Sequence, residues 1–101
     1  MSDQTRMRTI YIDCKGVKST AEVWQRYIDA ANPEGANQFG RNLDAFWDAV
    51  EHGGPGWPGD AKLVFKDTSG LAALNLGNGS SFLDELRRIA NKATQTQIDL
   101  E

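Results

Sequence analysis

Three carboxylates stand at helical spacing in this 101-residue chain: Asp44, Asp48 and Glu51, at i, i+4 and i+7, followed by the single histidine, His52. Such a set has three chemical readings. Carboxylates beside an imidazole are the raw material of general acid–base catalysis. Carboxylates one turn apart can hold a divalent cation. An open acidic row can also receive the guanidinium and ammonium groups of a basic partner, in pairs that are bidentate when the cation is arginine. The catalytic reading needs a nucleophile with its base, and no such pairing is visible. The metal reading lacks clustered His and Cys, and three acids on one open face hold Ca²⁺ poorly without carbonyl and loop ligands. No Gly-x-x-x-x-Gly-Lys phosphate loop occurs, and no Gly-x-Gly-x-x-Gly follows a strand. No catalytic residue, metal ligand or cofactor is assigned. A small acid–base or metal-dependent enzyme using Asp44, Asp48 and His52 ranks last.

The acidic row works against its own helix. Like charges at i, i+4 repel by roughly 0.2–0.5 kcal/mol. The helix dipole favours Asp44 in the first turn but opposes Glu51 in the last. The plain alternative is a solvated acidic face. The charge distribution argues for a contact surface instead. Glu34 to Glu51 holds four acids (Glu34, Asp44, Asp48, Glu51) and one base (Arg41), a net of −3, and the other residues balance at ten acids and ten bases. The whole formal charge sits in one segment, which steers cations in and repels nucleic acid.

The elements that must position this segment can be read in order. Met1 to Arg6 is expected to be a loose start. Met7–Asp13 alternates and is rich in Ile, Thr and Tyr, which predicts a strand; both its sides are largely apolar, as in a strand covered on both faces. Ser19-Thr20-Ala21-Glu22 is a capping box opening a helix over 20–31, and Asn32-Pro33-Glu34-Gly35 stops it. Residues 32–41 form a long loop, a length often functional. In it Phe39 is expected to anchor the loop to the core, and Gly40 to supply a backbone angle other residues resist. Asn42 is the expected N-cap of a helix ending near His52. Its apolar stripe is Leu43, Phe46, Trp47 and Val50, with Ala45, Ala49 and His52 on the remaining side. His52 at the helix end complements the dipole. The Gly53–Gly59 stretch, with Pro55 and Pro58, ends that helix, and Trp57 within it is expected to lid the core. Ala61–Lys66 predicts a second strand, Ser69–Leu74 a short helix, and Asn75–Gly79 a turn. Ser80 or Ser81 caps a last helix to about Ala93, and Thr94–Leu100 alternates as a third strand. The order β-α-α-β-α-α-β predicts an α/β fold with a three-stranded parallel sheet and packed helices.

One domain spanning 1–101 suits the length. One cysteine, Cys14, excludes an internal disulfide and is expected as a small buried hydrophobe, which fits a reducing, cytoplasmic setting. No run approaches the roughly 20 apolar residues that span a bilayer, no signal-peptide core is present, and no basic cluster supports nucleic-acid binding. No membrane or nucleic-acid partner is expected.

The run Gly40-Arg41-Asn42-Leu43-Asp44-Ala45-Phe46-Trp47-Asp48 resembles the core motif of the barstar family, small intracellular inhibitors of secreted microbial ribonucleases. The order of elements fits that family across nearly the whole chain. The resemblance implies an immunity protein that blocks a basic ribonuclease cleft as a 1:1 complex. It implies partner contacts from Gln38, Phe39, Gly40, Asn42, Asp44, Trp47, Asp48 and Glu51, with Asp48 central. Gln38 stands where the family's type member has a tyrosine. Glu51 stands where it has a small hydroxyl residue, and Ala49 where it has a cysteine. A base near Arg88 stands where it has an acid. These departures imply a different ribonuclease target or, alternatively, a barstar-like module for a non-ribonuclease toxin or other basic partner.

Overall fold

A computed structural model describes residues 8–77 and 79–101. Its elements run β1 (Arg8–Asp13), α1 (Thr20–Ala31), α2 (Leu43–His52), β2 (Ala61–Lys66), a 3₁₀ helix (Thr68–Ala73), α3 (Phe82–Lys92) and β3 (Ile98–Leu100), with a short 3₁₀ turn at Ala36–Gln38. The expected loose start, the strand's first residue Met7, and Asn78 within the expected turn lie outside the described residues.

The strands are all parallel, in the order β1-β2-β3, with Ile10 opposite Leu63 and Leu63 opposite Ile98. The strand order never reverses, so right-handed crossovers put every helix on one face of the sheet. The expectation that β1 is covered on both faces is therefore corrected. Ile10 and Ile12 are buried, whereas Thr9 and Asp13 are exposed and Tyr11 is 61% exposed. The open face is stitched by Lys62–Asp99 at 3.1 Å and Lys66–Glu101 at 2.8 Å.

Under the helices lies an aromatic core. Phe46 of α2 meets Trp24 (5.3 Å between ring centroids) and Tyr27 (5.4 Å) of α1, and Phe65 of β2 (5.9 Å). Removing a ring of this kind from a core costs about 3–5 kcal/mol, so α2 is held firmly against the sheet. Cys14 is buried as expected, and burial pushes its thiol pKa up to about 11.

Caps decide where helices start. Ser19 Oγ accepts from Glu22 N at 3.2 Å. Glu22 Oε1 reaches one residue further back than a capping box requires and accepts from Lys18 N at 2.8 Å. The complete reciprocal box is on α3, between Ser81 and Asp84. The third strand is shorter than alternation predicts. Residues 94–96 are drawn off to α2: Thr96 Oγ1 donates to Val50 O at 2.8 Å, and Thr94 and Gln95 bind Glu51.

Candidate functional site

Helix α2 begins where Asn42 Oδ1 accepts from Ala45 N at 2.7 Å and ends at Gly53, whose φ of +72° gives the left-handed cap a side chain resists. Phe46, Ala49 and Val50 are buried, while Leu43 and Trp47 are only half-buried. The core stripe is thus rotated from the expected one toward Ala49. The exposed arc is Asp44, Asp48 and His52. Among the described residues neither Asp44 nor Asp48 makes an ion pair or a side-chain hydrogen bond. Their charges are offered outward, and among the described residues no cation pairs with them.

The Asp48 carboxylate folds over the loop that follows the helix. A methyl group at Gly54 would overlap it, although Gly54 keeps an ordinary φ. Gly54 thus leaves room for the Asp48 carboxylate where it lies, without supplying backbone freedom, and in the sequence it reads only as part of a helix stop. One glycine suffices for the cap, so the second of the Gly53-Gly54 pair was the available signal.

Glu51 behaves differently from the two aspartates. Its carboxylate accepts from Thr94 Oγ1 at 2.5 Å, Thr94 N at 2.8 Å and Gln95 N at 3.2 Å. The Thr94 hydroxyl and then its amide hold the Glu51 carboxyl below its ordinary pKa. Its oxygens are committed to fixing the chain between α3 and β3.

The loop before α2 is braced rather than loose. Phe39 is buried, edge-on to Trp24 at 5.6 Å. It anchors the loop as expected, and its side chain is withdrawn from the surface where a partner contact was also expected. Gly56 carries φ +95°, and a Cβ there would stand 2.7 Å from the Phe39 ring. Gly56 N donates to Glu34 O at 2.9 Å, and the buried Tyr27 hydroxyl donates to Gly56 O at 2.6 Å. The loops at the two ends of α2 therefore dock on each other.

Gly40 has no left-handed φ; the strained angle falls on Arg41, at φ +54°. Gly40 is small because Ala45 is close, its Cβ 3.0 Å from where a Gly40 Cβ would lie. Gln38, Gly40 and Asn42 are exposed, and Asn42 Nδ2 donates to Gly40 O at 3.3 Å. Trp47 lines a groove between α2 and α3, its ring 5.4 Å from Lys92 Nζ and 6.1 Å from the His52 ring. Trp57 is 36% exposed, so it does not lid the core. With His52, Asp60 and Gln95 it lines an open depression of about 530 Å³ beyond the helix end.

Among the described residues no group of three or more His, Cys, Asp and Glu could hold a metal ion, and no helix is long and apolar enough to cross a membrane.

The site is a helix rooted in an aromatic core, starting at a Gly-x-Asn-Leu-Asp loop, with Asp44 and Asp48 on its exposed side. The family profile described as Barstar (barnase inhibitor) matches residues 7–101, and the chain belongs to that family. The family is one of inhibitors that bind barnase-like ribonucleases, not of enzymes. A search of curated proteins returned no match.

Proposed function

We propose that the chain is the immunity protein of a secreted microbial ribonuclease, held in the cytoplasm of its producer. It binds that enzyme one to one and closes the phosphate-binding cleft with carboxylates. Asp48 enters the centre of the cationic site and Asp44 flanks it. Gln38, Gly40, Asn42 and Trp47 supply the rim, and Phe39 holds the loop in shape from beneath. Glu51 adds to the local field, but its oxygens are already engaged. The observation that carries this reading is that Asp44 and Asp48 are exposed and, among the described residues, unpaired with any cation, on a helix anchored in the core by Phe46.

Complementary charge speeds encounter, and the barnase–barstar pair is itself the standard case of that steering. An interface of ordinary size buries roughly 800 Å² on each partner. Loop 34–42 with Asp44, Trp47 and Asp48 of α2 is suited to supply it.

The test uses the small nuclease encoded beside this chain or secreted by the same organism. The wild-type chain should silence it stoichiometrically, and added salt should weaken the complex. Asp48→Lys should abolish inhibition. Asp48→Ala should cost about 2–5 kcal/mol of binding, the range for stranding one partner of a buried charge pair. His52→Ala should leave inhibition intact. Turnover by the chain alone that His52→Ala destroys would overturn the reading.

A further inference from the structure

The groove between α2 and α3 has a volume of about 200 Å³ and walls of opposite charge. Its floor is apolar, made by Leu43, Trp47 and Ile89. Asp44 stands on the α2 side, and Glu85, Arg88 and Lys92 on the α3 side, which therefore carries one net positive charge. The two walls do not neutralise each other. Among the described residues Asp44 has no ion pair, and Lys92 has no carboxylate within 4 Å and lies over the Trp47 ring instead. Among the described residues Arg88 pairs only with Glu85, at 3.5 Å, and its side chain stays 64% exposed. Exposed pairs of that kind are weak and easily exchanged. Helix α3 carries three bases, Arg87, Arg88 and Lys92, against two acids, Asp84 and Glu85. Helix α3 is therefore net positive by one charge, with Lys92 its cation outside these pairs among the described residues.

A partner that fits this groove cannot be uniformly cationic. Asp44 asks for a cation, and one groove-width away Arg88 and Lys92 ask for an anion. A like charge placed against either wall would be repelled. We propose that Arg88 and Lys92 are specificity-determining residues: they receive a carboxylate at the rim of the partner's basic cleft and turn away ribonucleases whose cleft rim is basic throughout. This rests on the inhibitor reading of α2 and names the partner's chemistry more closely.

Barnase serves as the probe, because the family is defined by binding it. Its inhibition is measured at low ionic strength with the wild-type chain, with Arg88→Glu/Lys92→Glu, and with Arg88→Gln/Lys92→Gln. A fourth protein adds Asp48→Lys to the glutamate pair. All the substituted positions are exposed, and circular dichroism checks that each variant is folded. Reversing the α3 wall should tighten inhibition at least tenfold, or raise it from undetectable. The glutamine pair should lie between, and the gain should shrink as salt is added. Adding Asp48→Lys should remove it.

Inhibition by the glutamate pair equal to or weaker than wild type overturns the selectivity proposal and leaves the role of Asp48 standing. Absence of inhibition by all four proteins also overturns it, since the reversed wall should admit barnase. A gain that survives Asp48→Lys overturns the inhibitor reading of α2 itself.

Discussion

At the scale of single residues, reach and freedom of the carboxylates matter more than their number. Asp48 is placed by an absence, the missing side chain at Gly54. Gly54→Ala should barely change thermal stability, because the group in its way is the mobile end of an aspartate. It should nevertheless weaken inhibition of the target nuclease, because the Asp48 carboxylate must swing aside. Melting and inhibition curves on the same preparation separate the two effects. A fall in stability with unchanged inhibition would show that the glycine serves the fold alone. That Asp44 and Asp48 face outward was legible from residue type and helical period. The role of Gly54 was not, because a Gly-Gly pair after a helix reads as a stop signal, and only the folded chain shows which glycine caps and which makes room. Glu51 was misplaced for a related reason: periodicity put it beside the aspartates, but a hydroxyl and two amides from residues 94 and 95 claim its oxygens.

At the scale of elements, Glu51 ties the end of α2 to the segment entering β3. Its carboxyl pKa is lowered in the folded chain from an ordinary value of 4.5. Folding therefore favours the ionised form, and the tie's contribution is complete above that ordinary value. It is lost as pH falls through the lower, folded value. Glu51→Gln should lower the denaturation midpoint at neutral pH. The gap to wild type should close as both are taken to acid. A gap independent of pH would mean the carboxylate charge contributes nothing. Element boundaries elsewhere were readable where a cap supplied a chemical reason, as at Ser19, Asn42 and Gly53. The third strand was overextended because alternation at 94–97 says nothing of a distant glutamate.

At the scale of the whole molecule, a sheet that adds each strand on the same side leaves one face bare. The sequence suggested a strand covered twice because Tyr11 is as apolar as a core residue. The topology leaves it at the surface, among Lys62–Asp99 and Lys66–Glu101. The helical layer separates this face from the acidic arc, so the two should be independent. Tyr11→Ser should leave inhibition of the target nuclease unchanged, and measurable weakening would place the bare face in the contact. The braces around α2 bear on the lifetime of any complex. With Tyr27, Phe39 and Gly56 locking the flanking loops together, the recognition surface is shaped before it meets anything. Little conformational entropy is left to lose on docking. Tight binding should then appear chiefly as slow escape, with the pairing holding for as long as its buried charges stay dry.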